Sequence, residues 1–580
     1  MQHEMMKTVL YDRVEKEEIV LNINPETFRK CKSAKSVKKK HFSDAKKFSS
    51  MPRFIYDFET FQCKHPDGSV YMEPYQCCVL DANDDDQAES SMATFNSCEY
   101  PDLVPSLLNH IYELARPRWK KLISKNKEWA KKEFGEHSFF IPRVIMIAHN
   151  AFFDIQFIRK FLKKQSFTTR GNRLLRGSSN QLSNRWYYTG SMNYGGRQSM
   201  CIEFIDSYSH LSEPLRNFGK MFKLAVSKEI MPYTLYDENT LGLTNQNCGI
   251  CELVKAQDHL SPEKYEEFCT TILDPANKEL FDVDGDTVET ATFSLWSYSE
   301  YYCKLDCLLL YRGYFIYRAM VMVQFDGLDI LAIWTTASLA DTFLYLQGVY
   351  RDVYEMSGSC RLFCERAVVG GRCMTAHNKK QISGPVEDFD AVSLYPSAMA
   401  RLDGGYPTGP GSILSRDQCN DLSNFDRERG FPYFIIQITI TRVNRSLTFP
   451  LMSYITDEHT REWTNSMEDQ SMVVDRTTLH MLEQFHQIEY FVNGGLFWQD
   501  TNGKIKEVIK YCFEKRLALK NEKDENGNKC PNPLQLVYKL IMNASYGKTI
   551  QKSINFSEVS VPNEKLERYV CFRPSHIIQN

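Results

Sequence analysis

A multidomain chain of α/β and α+β class is what this sequence predicts, on three observations. From Arg53 to about Ile330, short apolar runs alternate with stretches of helical periodicity, as strands and helices layered on one sheet require. From about Asp329 the pattern turns mixed, with one long strand signal (FPYFIIQITITRV) and three helical stretches. At 580 residues the chain is long enough to bury more than one core.

The elements follow in order. Residues 1–50 are polar and lysine-dense (RKCKSAKSVKKKHFSDAKK), which predicts a basic flexible N-terminal segment. Residues 51–330 form the α/β domain. In it, RFIYDFET opens on a short strand, and DANDDDQAES reads as an exposed acidic loop. VIMIAHN is a second apolar strand and FDIQFIRKFL the helix behind it, while residues 233–292 are polar and read as a surface insertion. Residues 331–400 lead into the second region. Residues 401–500 hold the turn cluster GGYPTGPGS, the long strand and the helix DRTTLHMLEQFHQ. Residues 501–550 are two helices, KIKEVIKYCFEKRLALKNE and LQLVYKLIMNAS, parted by the breaker DENGNKCPNP, and residues 551–580 follow. No internal repeat is visible.

The formal charge of −3 gives no global basic signature, so nucleic-acid binding would have to come from local grooves. Eighteen cysteines, with no apolar signal segment in MQHEMMKTVLYDRVEKEE, imply reduced thiols in a soluble, intracellular protein. No apolar run is long enough to span a bilayer, so no membrane is expected as a partner. Cys248 and Cys251, with His259 and Cys269, match no zinc spacing, and Cys360 with Cys364 reads as packing.

Two constellations of residues carry chemistry. The first is an ordered series of carboxylates. Asp57 and Glu59 end a strand and point to one side, because strand side chains repeat every two residues. Asp154 opens a helix after an apolar strand, and Tyr302 and Asp306 share a helical face at i, i+4. Four converging carboxylates repel one another unless cations compensate them, which points to a pair of metal ions and phosphodiester hydrolysis.

The second constellation points to synthesis. Asp390 ends a strand before the turn and helix Ser-Leu-Tyr-Pro-Ser, where backbone amides near Ser393 and Leu394 could cradle a triphosphate whose magnesium the carboxylate holds. Tyr395 would lie beneath the sugar, where its ring would exclude a 2′-hydroxyl. Lys539, Asn543 and Tyr546 share one helical face, and Arg516 with Lys520 forms another cationic pair, so two helices offer cations to one aspartate.

At these residues the sequence resembles family B DNA polymerases, and specifically their protein-primed branch in phages, adenoviruses, linear plasmids and polinton-like elements. DFET, HNAFFD and YCKLD resemble the three motifs of the 3′–5′ proofreading exonuclease; DAVSLYPS and KLIMNASYG resemble the first two polymerase motifs. The resemblance covers roughly residues 53–580. It implies a ribonuclease H-like exonuclease domain over 51–330, the first part of a palm over 331–400, and a terminal-protein-contacting insertion over 401–500. Fingers helices would follow over 501–550, and the return to the palm over 551–580.

By the same resemblance Asp57, Glu59, Asp154 and Asp306 are metal ligands, with Tyr302 orienting the attacking water. Thr60, Asn150 and Phe153 would hold single-stranded DNA. DSYSHLSEPLRNFGKMFKL resembles a single-strand-binding segment, with Ser207 in place and Tyr208 where leucine is usual. KEIMPY resembles the motif whose lysine, here Lys228, assists exonuclease catalysis. AVVGGRC resembles a Tyr-x-Gly-Gly motif in which Val368 replaces the tyrosine, so Gly370 and Gly371 carry over as DNA contacts, with Gly547 in the second polymerase motif. Asp390 is the implied polymerase metal ligand. Mg2+ or Mn2+ is the implied cofactor, in two-metal sites. Primer-template and single-stranded DNA, dNTPs and a terminal protein primer are the implied partners.

The last aspartate motif (usually Asp-Thr-Asp) and the thumb have no counterpart in these residues, so the expectation is a truncated polymerase with little or no polymerase activity of its own, completed by a possible C-terminal polymerase fragment. The competing expectations are a stand-alone metal-dependent 3′–5′ DNA exonuclease with an inactive palm remnant, and a DNA-binding regulatory relic.

Overall fold

A computed structural model describes residues 7–12, 17–83, 89–135, 141–159, 161–162, 165–170, 173–179, 200–243, 249–371, 384–385, 387–402, 404–422, 433–456, 460–523, 527, 532, 534–549 and 558–560. Most of the acidic run at 84–88, Cys248, most of the 524–533 breaker and most of 551–580 lie outside them. The chain divides into two compact units, one built on Lys40–Leu339 and one on Ala340–Cys530 with Tyr538–Thr549 and the N-terminal strands.

The first unit is organised by a mixed sheet. Its strands are β1 (Arg53–Lys64), β2 (Val70–Asp81), β3 (Ala93–Asn96), β4 (Arg143–Ala148), β5 (Gln165–Arg170), β6 (Arg173–Ser179) and β7 (Cys201–Asp206). With the short strand Glu558–Ser560 at one edge, the order is Glu558–Ser560, β5, β6, β7, β4, β1, β2, β3. The centre (β7, β4, β1) is parallel and the flanks are antiparallel. Helices α1 (Leu103–Lys125) and α2 (Phe152–Arg159) supply residues to the core of one face. Helix α3 (Leu295–Gln324), about 45 Å long at 1.5 Å per residue, packs against β1 and β2.

Being covered on both faces, β1 is apolar almost throughout its first half. The two-residue repeat sends Phe54, Tyr56 and Phe58 into the core with Leu107, Ile111 and Val144. Asp57 and Glu59 therefore leave by the opposite face. A register shift between Glu59 and Thr60 ends the regular pairing just after the acidic pair, as bulges beside functional sites do.

Two sequence expectations need correction. Ala34–Ser49, read as part of a flexible tail, is a helix of 16 residues. His41 and Ala45, four apart, are its buried positions, and His41 Nε2 accepts the Asp329 backbone N–H at 3.0 Å. The surrounding lysines occupy the wet face, and their density masked the short buried stripe. Upstream, Phe28–Lys30 pairs antiparallel with Tyr354–Met356 inside the second unit.

Residues 233–292 are more than a surface insertion. They contain a helix, Pro262–Leu273, and a ladder that pairs Ile250–Glu252 with Thr292–Ser294. Leu253, Phe268, Ile272 and Phe281 form a core continuous with Tyr298 and Tyr302 of α3. A few large side chains set in a polar background buried more than their periodicity announced.

In the second unit, β8 (Ser412–Ile413), β9 (Tyr433–Val443), β10 (Gln470–Asp475) and β11 (Ile488–Trp498) form an antiparallel sheet in the order β8, β11, β9, β10. Phe434, Ile436, Ile438 and Ile440 face one core with Leu479 and Leu482. Ile435, Val473, Leu496 and Trp498 face another, with Phe363 and the buried Cys360 and Cys364. Helices α4 (Leu394–Ala400), α5 (Lys504–Lys520) and α6 (Leu534–Thr549) carry the second constellation.

Candidate metal centre and its surroundings

Asp57, Glu59, Asp154 and Asp306 all lie in the first unit, near enough for their charges to act on one another. Glu59, Asp154 and Asp306 are buried and Asp57 is half-buried. Burial acts first on each; Asp306 adds to it at both Asp57 and Glu59, and Asp154 at Glu59. Asp57 is pushed up from 3.8 to about 7 by burial and then by Asp306, against the pull of Lys228. Burial, then Asp57, holds both Glu59 and Asp154 well above the ordinary carboxylate range. Asp306 is also raised, by burial, though Lys228 opposes the shift.

Among the described residues, Lys228 is the cation that acts on Asp57, Glu59 and Asp306. Its ammonium donates to Asp306 Oδ2 and sits 4.8 Å above the Tyr302 ring. Asp306 Oδ1 is buried with no hydrogen-bond partner. Four carboxylates with one ammonium and an orphaned oxygen make a strongly anionic hollow, which suits divalent cations. These residues therefore fit a metal centre that Asp57, Glu59, Asp154 and Asp306 would line. Among the described residues, the ligand atoms of Asp57, Glu59 and Cys303 all lie within 4.8 Å of one another.

Tyr302 is buried, and its hydroxyl meets the Tyr233 hydroxyl at 2.7 Å. Burial and Asp306 hold the Tyr302 phenol above its ordinary range, so it keeps its proton and can donate.

The other predicted contacts flank this hollow. Asn150, with φ of 64°, takes the left-handed conformation asparagine tolerates, and its N–H donates to Asp206 Oδ1 at 2.9 Å. That turn joins β4 to α2 and leaves Phe153 exposed while Asp154 is buried. The Ser207 hydroxyl donates to the Ala148 carbonyl at 3.1 Å and lies 2.9 Å from His149 Nδ1, pinning the end of β7 to the end of β4. Thr60 sits at the bulge.

Three residues here escaped sequence reasoning. Tyr233 closes the KEIMPY segment that supplies Lys228, so its signal was present but unread. Cys303 lies between Tyr302 and Asp306 on the same buried helix face. Asp206 caps the chain after β7, accepting the Tyr208 N–H at 3.0 Å, and burial pushes its carboxyl up to about 6. An isolated aspartate after a strand carries no distinguishing pattern.

In the second unit, Ser393 stands before α4 with φ of 50°, and Arg516 Nη1 donates to its hydroxyl at 3.0 Å. Tyr395 and Tyr546 stack with centroids 4.3 Å apart and planes 8° from parallel. A Cβ on Gly371 would lie 3.5 Å from the Tyr395 hydroxyl. Thus α4, α5, α6 and the glycine pair meet. Asp390, Leu394, Lys520, Lys539 and Asn543 are exposed, as are Gly370 and Gly371, and Gly547 is partly so. The structure brings Ser393, Tyr395, Arg516 and Tyr546 into contact; Asp390 stands outside that set of contacts.

The organellar and viral type B DNA polymerase family matches residues 138–570, well over half of the chain, and the chain belongs to that family. A DNA polymerase of Kluyveromyces lactis is 27% identical over 290 residues, which are 48% of this chain and 27% of that protein. The chain thus spans about a quarter of the length of that curated relative. Among solved structures, the phi29 DNA polymerase in an orthorhombic crystal form overlays with a TM-score of 0.49 and 14% identity, over 87% of this chain and 69% of that one. The same polymerase complexed with single-stranded DNA gives 0.46 and 15%, over 86% and 67%.

Proposed function

We propose that this chain is a DNA-directed DNA polymerase with a 3′–5′ proofreading exonuclease, and that the first unit houses the exonuclease. The observation that carries the exonuclease reading is the buried convergence of Asp57, Glu59, Asp154 and Asp306 on Lys228 and Tyr302. Divalent ions bound there, Mg2+ or Mn2+, supply acidification of water and charge neutralisation at the phosphodiester. The protein does the rest. Asp57, Glu59, Asp154 and Asp306 fix the ligand geometry, and Lys228 holds Asp306 in place. The Tyr302 hydroxyl, held by Tyr233, orients the attacking water. That water attacks the terminal phosphorus, the bond from phosphorus to the 3′ oxygen breaks, and that oxygen takes up a proton. The products are a nucleoside 5′-monophosphate and a strand one nucleotide shorter.

Single-stranded DNA reaches the hollow past Thr60, Asn150 and Phe153, whereas Ser207, fully buried and bonded to the Ala148 carbonyl, braces the end of β4 from within. The exposed Phe153 ring offers a stacking surface that any base can use. In the second unit, the stacked Tyr395 and Tyr546 support a nucleotide pocket on Asp390, Ser393, Leu394, Arg516, Lys520, Lys539 and Asn543, with a dNTP as ligand. Gly370, Gly371 and Gly547 contact primer-template DNA. The β8–β11 sheet occupies the 401–500 stretch where the resemblance puts the contact with a terminal protein primer, which supports protein-primed replication of a linear viral or mobile-element DNA. The chain is read as an intracellular, soluble enzyme; among the described residues no helix is long and apolar enough to cross a membrane.

The test is one labelled primer-template, followed for degradation without dNTPs and for extension with them, in Mg2+ and in Mn2+. Degradation that disappears in Asp57→Ala/Glu59→Ala, with little or no extension, is the expected result; extension that disappears in Asp390→Ala would mean that a second polymerase carboxylate lies in this chain. Degradation that survives the first pair would overturn the exonuclease assignment.

A further inference from the structure

The metal centre contains a side chain that hard-ion chemistry does not need. Cys303 follows Tyr302 and precedes Asp306 by three residues on the buried face of α3. Its Sγ lies 3.6 Å from the Asp57 carbonyl oxygen and 3.9 Å from Asp57 Oδ2. The ligand atoms of Asp57, Glu59 and Cys303 all fall within 4.8 Å of one another. Within one helical turn, Asp306 is 5% exposed and holds an Oδ1 with no partner.

Carboxylate oxygens alone suit Mg2+ and Mn2+, whereas a thiolate draws softer ions. A tetrahedral ion with a sulfur ligand at about 2.3 Å and an oxygen ligand at about 2.1 Å sets the two ligands about 3.6 Å apart. The spacing of Cys303 Sγ and Asp57 Oδ2 is already close to that value, so closing on an ion asks only for small side-chain rotations.

We propose that Cys303, Asp57 and Glu59 form a mixed sulfur–oxygen site for a thiophilic divalent ion of the Zn2+ or Cd2+ class, overlapping the hard-ion site. The proposal rests on the reading of Asp57 and Glu59 as metal ligands. On binding, the thiol gives its proton to solvent and a sulfur lone pair forms the metal–sulfur bond; nothing is oxidised. A soft ion seated there competes with the hard ions that trimming uses, so Zn2+ stops trimming at concentrations far below the Mg2+ that supports it.

The experiment is a Cd2+ titration of the full chain, read by the ultraviolet sulfur-to-cadmium charge-transfer band. The unsubstituted chain is compared with Cys303→Ser and with Asp57→Asn/Glu59→Gln. Each substitution is expected to weaken the tightest Cd2+ site by at least about tenfold, since losing even a supporting group at a metal site costs that much. An unchanged titration in Cys303→Ser would overturn the proposal, because another thiol would then hold the ion. So would a site lost in Cys303→Ser yet untouched in the carboxylate pair. Cadmium NMR of the unsubstituted chain covers the case in which a variant fails to fold. A shift typical of one sulfur with oxygens supports the site, and a multi-thiol shift contradicts it. Because neither readout needs trimming, an intact chain that binds Cd2+ this way but trims nothing in Mg2+ would sink the exonuclease reading alone.

Discussion

Asp57 shows how much one residue's position decides. The two-residue repeat of β1 puts it on the face opposite Tyr56 and Phe58, so that pairing with Glu59 was legible in the sequence. The cost of that position was not legible, because burial depends on α3, some 250 residues away in the chain. With Asp57 raised from 3.8 to about 7, the folded state holds protons that the unfolded state has lost between those values. Stability of the metal-free chain is therefore greatest below about pH 4 as far as this group is concerned, and falls as pH rises through about 7. Glu59 and Asp154 shift in the same direction. Thermal melts in EDTA are expected to show a lower midpoint at pH 8 than at pH 6, with added Mg2+ closing the gap; a gap that Mg2+ leaves open would contradict the account. Tyr302→Phe removes the hydroxyl but keeps the ring over which Lys228 sits. Trimming is expected to fall by about 100-fold with binding of single-stranded DNA little changed. A loss of binding alone, seen by fluorescence anisotropy, would assign Tyr302 to DNA contact instead.

Elements were legible where one pattern ruled a whole segment. The run YYCKLD belongs to α3, whose i, i+4 spacing brought Tyr302 and Asp306 onto one face as read. Long strands such as β9 were equally plain, since a continuous apolar run announces burial on both faces. The N-terminal helix was missed because two buried positions among many lysines leave almost no periodic signal. The 233–292 segment was misread because its core is assembled from scattered aromatics that find partners only on α3. Close packing of β11 on β9 was also invisible. At Gly495 a Cβ would come within 2.4 Å of the Ile435 carbonyl oxygen and 2.7 Å of Ile436 Cα, backbone atoms that cannot step aside. Gly495→Val is accordingly expected to destabilise the second unit by about 2–4 kcal/mol, read by urea denaturation. A change below about 0.5 kcal/mol would mean that the two strands separate more easily than this packing allows.

At the scale of the whole molecule, a net charge of −3 gives no global basic signature, so attraction to DNA has to come from local grooves. Membership of the organellar and viral type B DNA polymerases agrees with the order in which the chain presents its motifs. The first unit gathers Asp57, Glu59, Asp154, Lys228, Tyr302 and Asp306 from a strand, a loop and helices spread over some 250 residues, an assembly that the order of the motifs implied but whose burial no single motif carried. We propose that this assembly is a carboxylate hollow that uses a pair of divalent ions to trim DNA. It is tested most directly by the single-turnover rate of trimming a 5′-labelled single strand across a Mg2+ titration, for the intact chain and for Asp57→Ala/Glu59→Ala. The account predicts a sigmoidal rise with Mg2+ in the intact chain and a rate at least about 1,000-fold lower in the variant at every concentration. Equal rates in the two proteins, or no trimming by the intact chain at saturating Mg2+, would contradict it.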